Sequence, residues 1–460
     1  METVTTVILM ASGLVIFLAL AAFGLFSLWE QERRAARVAF GLSVLTAAPF
    51  LLASRLPPGA RMAVLGLVAA GLVVGMVLFL LPIGRVERGN DVPRHRFDER
   101  DMMFARARLV PGSPEYTAYY ARRPDNLAGD EMTRALPGLL SPTAPKANPL
   151  AFASAQASFS LTEALREEVD GPVAEEKMNL APARATTFVK NMARYYGAGT
   201  VGVAALQPYQ VYSHTGRGAG EYGAPIPVEH RYAIAFTVEM DHAMIGSAPQ
   251  APGVMESARQ YVEAARIGLQ LGYLIRGLGY PARAHIDGNY RVIAPLVARD
   301  AGLGGIGRLG LLMTPELGPR VRLGVVTTDL PVVPDQRADD TSVIDFCRIC
   351  QKCAENCPSR SIPFDDRKEI DGGLRWRIDS DSCFRYWNLV GTDCGVCMAV
   401  CPYSHPNNLP HNLVRWSLRQ SGLARRALLR MDDLFYGRKP PRRLPAWVPE
   451  RSSGRMSDEQ

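Results

Sequence analysis

The eight cysteines of this sequence all lie between positions 347 and 401, in two runs whose spacing predicts metal chemistry. The runs are Cys347-x2-Cys350-x2-Cys353-x3-Cys357-Pro358, and Cys383 followed after ten residues by Cys394-x2-Cys397-x3-Cys401-Pro402. Three thiolates of one short loop can hold a [4Fe–4S] cluster, while the cysteine before proline ligates the other cluster of a pair. The predicted ligands are Cys347, Cys350, Cys353 and Cys401 for the first cluster, and Cys357, Cys383, Cys394 and Cys397 for the second.

Zinc and disulfides are the alternative uses for so many cysteines. A structural zinc site uses paired Cys-x2-Cys units and gives no reason for a Cys-x3-Cys-Pro ending. Disulfides belong to oxidising compartments and do not normally gather every cysteine of a chain into one short stretch. Two [4Fe–4S] clusters therefore explain the pattern best, and they predict one-electron transfer and assembly in the cytoplasm.

Composition and charge favour a membrane surface over nucleic acid as a partner. The chain has 460 residues, 47% of them hydrophobic, which is enough for two or three domains with a buried core. Its formal net charge is +7 and its pI is about 9.0. The positive charge lies beside apolar segments and in the C-terminal tail, so we expect membrane lipid and no nucleic acid as its partner.

Three apolar runs near the N-terminus, at 5–28, 38–54 and 62–84, predict membrane spans. A cleaved signal peptide is not expected because the N-terminus is acidic, and the pair Arg33-Arg34 follows the first run rather than preceding it. Arginines follow the first and third runs, so three spans place the N-terminus outside and the rest of the chain in the cytoplasm. With only two spans this orientation does not follow. We expect a multi-pass protein of the cell inner membrane with a cytoplasmic catalytic domain.

The chain divides by pattern into five segments. They are a transmembrane anchor at 1–88, a linker with wrapping segments at 89–185, a core at 186–340, a ferredoxin-like domain at 341–411 and a basic tail at 412–460. Residues 1–94 contain no histidine, which excludes a bis-histidine haem site in the anchor. One helix is expected near 161–176. In the tail, a helix at 411–431 carries leucines and Trp416 among arginines, so it either lies on anionic lipid or packs on the protein with a solvated basic face.

Helical and strand periodicities alternate in the core. The predicted elements are a helix at 185–196, strands at 200–206 and 232–239, a long amphipathic helix at 255–278, and strands at 282–286 and 321–328. This alternation predicts an α/β or α+β sandwich ahead of the ferredoxin-like domain.

A glycine-rich turn lies between the last two predicted strands. Gly302-x-Gly304-x-x-Gly307 matches the dinucleotide-binding fingerprint, but it follows 295–300, which we interpret as a loop, so the required strand–turn–helix is missing. We expect these glycines to mark a close approach of backbone to a large cofactor or to another chain segment. HExxH, Walker A, GxSxG and Asp-x-His-x-x-Gly motifs are absent. The chemistry is therefore expected from a bound cofactor that the clusters reduce.

Several short blocks occur in an order that resembles one enzyme family. They are Phe236–Pro249, Glu256-Ser257 with Tyr261, Leu278–Ala282, Ala301–Gly304, Thr314–Arg320, Thr328–Pro331 and Phe346–Cys350, followed by the second cysteine run. Over about residues 185–411 the sequence resembles the cobalamin-dependent reductive dehalogenases. More distantly it is similar to epoxyqueuosine reductase, which shares the corrinoid core and the two clusters.

The resemblance implies a nitroreductase-like fold around a base-off cobalamin, which takes electrons from the two clusters and cleaves a carbon–halogen bond. It also implies a tyrosine as proton donor, preceded four residues earlier by a serine or threonine, and Tyr261 and Ser257 match this spacing. A neighbouring cation lowers the pKa of such a phenol. Arg308 is the preferred candidate for that cation, with Arg320 and Arg322 as rivals. The residues expected near the cofactor are Ser257, Gly302, Gly304, Gly305 and Gly307.

The sequence differs from the respiratory members of this family, which carry an export signal and use a separate membrane anchor. Here apolar spans precede the core, and neither a flavin nor a [2Fe–2S] reductase domain is appended. We therefore expect a membrane-anchored enzyme that acts on a small organohalide and takes electrons from another protein or from quinol. Two alternatives stay open: a corrinoid iron–sulfur reductase of an epoxide or other non-halogenated substrate, and an electron-transfer protein without corrinoid.

Overall fold

The computed structural model describes residues 2–81, 84, 86–218, 220–337 and 340–448. Its α-helices are α1 (Glu2–Trp29), α2 (Arg33–Ala53), α3 (Pro58–Leu80), α4 (Met103–Arg106), α5 (Pro114–Arg122), α6 (Leu127–Arg134), α7 (Pro149–Ala164), α8 (Pro182–Tyr195), α9 (His242–Gly246), α10 (Ala251–Gly277), α11 (Ala294–Asp300), α12 (Ser342–Cys350), α13 (Lys352–Asn356), α14 (Ser380–Val390), α15 (Val396–Ala399), α16 (Leu409–Leu418) and α17 (Gly422–Phe435). Short 3-10 turns occupy Glu99–Asp101, Pro124–Asn126, Arg166–Val169, Pro208–Gln210 and Pro402–Ser404.

The chain divides into two compact units, which we call the anchor unit (Met1–Val86 and Asn412–Pro440) and the core unit (Glu87–His411 and Pro441–Gln460). The core unit contains a four-stranded antiparallel sheet of β1 (Val201–Ala205), β2 (Tyr232–Glu239), β3 (Ala282–His285) and β6 (Val321–Thr328), in the order β1-β2-β6-β3. Two-stranded ribbons are formed by β4 (Gly305–Ile306) with β5 (Leu312–Met313), and by β7 (Lys368–Ile370) with β8 (Gly373–Arg375).

Helices cover both faces of the four-stranded sheet, because successive side chains of a strand point to opposite faces. Ile234 and Phe236 of β2 belong to one buried cluster, together with Ile267 of α10. Ala235 belongs to a second buried cluster, together with Val297 of α11. The core is therefore a helix–sheet–helix sandwich of the α+β kind.

The predicted elements of the core are confirmed with small shifts at their ends. Strands β2 and β6 have the predicted bounds, β1 is one residue shorter than predicted at each end, and β3 is one residue shorter at its C-terminal end. The long helix begins at Ala251 rather than 255. Pro252 lies in its first turn, where a backbone N–H has no acceptor within the helix, so the N–H that proline lacks is not missed.

Two predictions outside these elements are wrong. The helix expected at 161–176 is α7, which begins at Pro149 and ends at Ala164. Its start is fixed by Asn148, whose Oδ1 accepts a hydrogen bond of 3.1 Å from the backbone N–H of Ala151. Residues 295–300, interpreted as a loop, are six of the seven residues of helix α11.

Residues 87–185 pack on the core rather than forming an open linker. Ala151 and Phe152 of α7 are buried in a cluster with Val254 and Ala258 of α10. Earlier in the segment, the Asp91 carboxylate accepts a hydrogen bond of 2.9 Å from Arg337. These contacts hold the segment against the core.

The anchor unit contains the three predicted spans, and α1, α2 and α3 are long and apolar enough to cross a membrane. Helix α17 packs near the turn between α1 and α2. The rings of Phe23 on α1 and Phe435 on α17 are 5.2 Å apart, edge to face. The guanidinium of Arg34 donates hydrogen bonds of 3.3 Å to the carbonyls of Asp433 and Leu434.

The basic tail forms two helices, α16 and α17, rather than the single helix expected at 411–431. Ser421 separates them, since its hydroxyl accepts a hydrogen bond of 3.1 Å from the Ala424 N–H and so begins a new helix. Residues 449–460 of the predicted tail lie outside the described residues.

Candidate active site and cluster ligands

Helix α10 places Ser257 and Tyr261 on one face, since residues four apart lie one above the other on a helix. Ser257 is 1% exposed, and Tyr261 is part-buried. The ring of Tyr261 lies 6.3 Å from that of Phe159 on α7, centroid to centroid. The predicted pair is therefore held by helix packing at the border of the core.

The cation beside Tyr261 is Arg322 of β6. Its guanidinium carbon lies 4.6 Å from the centre of the Tyr261 ring. One terminal nitrogen, Nη2, donates to the Ser257 hydroxyl at 2.5 Å and to the Asp393 carboxylate at 3.2 Å. Alternation along β6 puts Arg322 on the face of Val326, the face that packs on α10.

The charges around Tyr261 act on its phenol in opposite directions. Arg322 lowers the pKa of Tyr261, but burial and the negative charges of Asp287 and Asp393 outweigh it, so the pKa is raised overall. The hydroxyl group is therefore protonated at neutral pH. A buried phenol with a cation over its ring can give up a proton to a strong base and keep the resulting negative charge paired.

Arg308, the preferred candidate from sequence, is placed elsewhere. Its guanidinium donates to the backbone carbonyls of Cys347, Pro363, Phe364 and Asp365 at 2.7–2.9 Å. Its carbon lies 5.0 Å from the centre of the Trp376 ring, and the side chain is 1% exposed. Arg308 thus joins the glycine turn to the cysteine-bearing segment, and the structure corrects its assignment as the partner of Tyr261.

Arg320 does not face Tyr261 either. Its side chain is 1% exposed and donates to the carbonyl of Ser404 and the carboxylate of Glu239, both at 2.9 Å, and to the carbonyl of Met240. Arg320 and Arg322 are only two residues apart, so their positions in the sequence do not show which of them faces Tyr261. In the structure, Arg320 precedes β6, which begins at Val321, whereas Arg322 lies within the strand.

Replacing Arg308 by methionine is expected to destabilise the core unit by about 3 kcal/mol, because four carbonyls, one of them buried and three part-buried, lose their donor. The iron content is expected to fall, while the titration of Tyr261 stays unchanged. Denaturant unfolding and iron analysis check both points. Arg348→Met is the matched control, since Arg348 is 43% exposed and its ion pair with Asp366 is worth little. A shifted Tyr261 titration in the Arg308 variant would contradict the corrected assignment.

The glycine turn packs mainly against the chain itself. It follows α11 and leads into β4, the reverse of the order strand–turn–helix, so it is not a dinucleotide-binding turn. A Cβ on Gly304 would lie 2.1 Å from the Met313 carbonyl oxygen, and one on Gly307 would lie 2.8 Å from the Met313 side chain. At Gly302 the φ is +79°. Gly305 is the exception among these glycines, since a Cβ there would have no described atom within 4 Å.

Gly304→Ala is expected to destabilise the protein by about 2 kcal/mol or more, because the backbone of Met313 must move and φ is +156°. Gly305→Ala, one residue away, is the matched control and is expected to unfold at the temperature of the unsubstituted protein. Thermal unfolding of both variants measures the difference. Equal stability of the two variants would contradict the close packing at Gly304.

The eight cysteines are free thiols and fall into two sets by their electrostatic neighbours. The first set is Cys347, Cys350, Cys353 and Cys401, and the second is Cys357, Cys383, Cys394 and Cys397, of which Cys397 also interacts with Cys353 of the first set. Burial raises the pKa of Cys383 to about 11 and that of Cys394 to about 12. Among the described residues, no three potential ligands converge closely enough to hold a single metal ion.

Two residues of the turn after β3 complete the surroundings of Tyr261 and were not found from sequence. Tyr290 and Asp287 lie close enough to Tyr261 to act on it electrostatically, and burial raises the pKa of Tyr290 well above its ordinary value. Arg217 acts on the same group of side chains. The stretch Ile286–Tyr290 contains no motif, so only the fold reveals it.

Comparisons with known proteins agree with this geometry. The family of 4Fe-4S dicluster domains matches residues 346–405, which confirms an iron–sulfur domain in the cysteine region. The tetrachloroethene reductive dehalogenase of Sulfurospirillum multivorans is 33% identical over 293 residues, covering 56% of this chain and 58% of that protein. The resemblance to reductive dehalogenases is confirmed. The epoxyqueuosine reductase of Lactococcus garvieae is a more distant relative, 31% identical over 113 residues, or 24% of this chain and 31% of that protein.

A solved structure of the catabolic reductive dehalogenase NpRdhA, N-terminally tagged, is similar in fold. It matches with a TM-score of 0.63 and 26% identity, covering 78% of this chain and 49% of that one. The chain thus spans less than two thirds of the length of these dehalogenases.

Proposed function

We propose that this chain is a membrane-anchored, corrinoid-dependent reductive dehalogenase. The observation that carries the proposal is the pair of Tyr261 and Arg322, a phenol and a cation from two different elements, beside the loop that contains Cys394. This arrangement occurs in a chain with a 4Fe-4S dicluster domain and with reductive dehalogenases among its relatives. An acid, an electron path and the sequence similarity support the same reaction.

The two sets of cysteines are proposed as the ligands of two [4Fe–4S] clusters, four thiolates to each cluster. Buried thiols with a raised pKa are weak acids, so they are expected to deprotonate only as metal binds. When bound, each cluster would supply one-electron transfer. An external donor protein or quinol supplies two electrons for each halogen removed.

Two features of the core unit fit a bound corrinoid. Arg322 Nε is buried and has no hydrogen-bond partner among the described residues, and Gly305 opens on free space. We propose that the 302–307 turn, with Gly305 at its open position, and the Ser257 side of α10 hold the cofactor. When bound, the cofactor supplies the reducing metal centre that cleaves the carbon–halogen bond.

The proton comes from this chain. The overall reaction takes an organohalide, two electrons and one proton to the reduced carbon compound and a halide ion. Tyr261 Oη donates its proton to the carbon that loses the halogen, and Arg322 stabilises the phenolate that remains. Tyr261 is then reprotonated from solvent before the next turnover.

The proposal is tested with the full chain in lipid nanodiscs, loaded with iron, sulfide and cobalamin and reduced by titanium(III). Tetrachloroethene and a brominated phenol are offered in parallel. We expect halide and the dehalogenated product in equal amounts with at least one of them. Clusters that are reduced without halide release from either class, together with turnover of epoxyqueuosine, would contradict the proposal and favour the epoxide-reducing alternative.

We propose that α1, α2 and α3 cross the inner membrane, with the core unit in the cytoplasm. Within the anchor unit, the Ser421 hydroxyl is 3.5 Å from the carbonyl of Leu78 near the end of α3, and Arg425 donates to the Gly84 carbonyl at 3.1 Å. The helix before Ser421 exposes 60% of Leu413 and 51% of Trp416. These side chains are proposed to lie in the headgroup region, where the exposed arginines of α17 meet anionic lipid.

Brominated lipid is expected to quench the fluorescence of Trp416 in nanodiscs, more strongly with phosphatidylglycerol than with phosphatidylcholine. The contribution of Trp416 is the difference between the full chain and its Trp416→Phe variant. Trp376→Phe is the matched control, because Trp376 is 5% exposed in the core unit. Quenching that is the same with and without Trp416 would contradict the placement of this helix in lipid.

A further inference from the structure

Asp393 lies directly before Cys394 and reaches across to Arg322. Its Oδ2 accepts a hydrogen bond of 3.2 Å from Arg322 Nη2, and the two side chains are 11% and 19% exposed. Breaking a buried ion pair by removing one partner is costly, so a buried arginine usually has a carboxylate in place. Asp393 is the carboxylate within ion-pair distance of Arg322 among the described residues.

Arg322 joins three separate parts of the chain through one side chain. The same Nη2 that binds Asp393 donates to Ser257 on α10, while the guanidinium carbon lies 4.6 Å from the centre of the Tyr261 ring. A guanidinium group is planar and rigid, so fixing one nitrogen and the ring contact fixes the orientation of the whole group. Asp393 therefore helps to decide where the cation sits over the phenol.

The loop that carries Asp393 is held from both sides. The Thr392 hydroxyl donates a hydrogen bond of 2.8 Å to the Pro249 carbonyl, just before α10. The carbonyl of Gly391 accepts a bond of 2.9 Å from the Leu140 N–H. Cys394 itself has φ +60°, a left-handed conformation that a non-glycine residue adopts only when its surroundings impose it. The position of Asp393 thus depends on the fold of the loop that supplies a cluster ligand.

We propose that Asp393 is a positioning residue that holds Arg322 over Tyr261 and so joins the proton donor to the ligand loop of the second cluster. Folding of this loop around its cluster then completes the acid site as well as the electron path. The inference rests on the proposed role of Tyr261 as proton donor. It adds that the surroundings of this proton donor depend on the fold of residues 391–397.

The test measures the titration of Tyr261 in two variants of Asp393. Asp393→Asn loses the charge but keeps an oxygen that accepts from Arg322, whereas Asp393→Ala loses both. The charged and titratable groups that act on Tyr261 are Arg322, Asp287, Asp393, Arg217 and Tyr290. Since a carboxylate raises the pKa of the phenol and Arg322 lowers it, the two variants separate the direct charge effect from the positioning effect.

The probe is ¹⁹F NMR of the cluster-loaded full chain with 3-fluorotyrosine, the Tyr261 signal being assigned by its loss in Tyr261→Phe. We expect the pKa of Tyr261 to fall in Asp393→Asn and to rise in Asp393→Ala, each by about half a unit or more. A fall in both variants means that Asp393 acts only as a charge and overturns the proposal, and so does no shift in Asp393→Ala.

Two controls keep the test decisive. Asp393→Ser, which has neither the charge nor the reach, is expected to behave like alanine, and it replaces the alanine variant if that variant loses iron. Halide release is measured separately. If the chain releases no halide but the pKa of Tyr261 still shifts in opposite directions in the two Asp393 variants, the proposed function is refuted and the positioning role of Asp393 stands. Where halide is released, the alanine variant is expected to lose about tenfold in kcat with little change in KM.

Discussion

Tyr261→Phe is expected to lower the rate of halide replacement by about 100- to 10,000-fold, the range that a positioned general acid contributes. The substitution removes only the hydroxyl oxygen. The ring contacts with Phe159 and with the guanidinium of Arg322 remain possible, so stability and cofactor loading are expected to change little. Halide release under saturating reductant is the measurement, with iron and cobalt contents determined on the same samples.

Tyr290→Phe is the matched control, because Tyr290 belongs to the same group of side chains and is also part-buried. We expect its activity to stay within a few-fold of that of the unsubstituted chain. The pH dependence gives a second check on Tyr261. Its raised pKa keeps the acid form through neutral pH, so activity is expected to persist there and to fall only as the pH rises through that pKa. Full turnover of the Tyr261 variant with cofactor bound would contradict its role as proton donor.

Arg322→Met is expected to have the second-largest effect. It leaves the carboxylate of Asp393 buried without its partner, which costs about 3 kcal/mol of stability. It also removes the cation that lowers the pKa of Tyr261, so that pKa is expected to rise further and the rate to fall by about 100-fold. Denaturant unfolding and halide release, measured on one preparation, separate the two losses.

Arg322→Lys is the control that keeps the charge without the planar group. We expect it to recover most of the stability but only part of the rate, because an ammonium group cannot bind Ser257 and Asp393 while lying flat over the ring. An Arg322→Met variant with the activity of the unsubstituted chain would show that another cation assists the phenol.

The cluster region and the central strands were predictable from sequence because their signals are local. Thiolate spacing fixes which cysteines share a loop, and β2 and β6 are apolar runs with the length and composition of buried strands. Helix starts were harder where proline stands in the first turn, as in α7 and α11, since proline there was interpreted as a loop signal.

The partner of Tyr261 was not predictable because it depends on packing between distant segments. Arg308, Arg320 and Arg322 lie within 15 positions, and nothing in their local sequence says which one faces α10. The alternation of β6 decides it, and that requires the register of the sheet. The same holds for Asp393, which is 71 positions from Arg322 and adjacent to a residue already assigned to a cluster.

The metal content of the full chain, purified anaerobically from membranes of a corrinoid-supplied host, tests the central claim most directly. We expect about eight irons and about one cobalt per chain, with an EPR signal of base-off cob(II)alamin in the isolated state. Eight irons without cobalt, after reconstitution with cobalamin, would contradict the claim. The chain would then be an electron carrier, and Tyr261 would be a packed residue of α10.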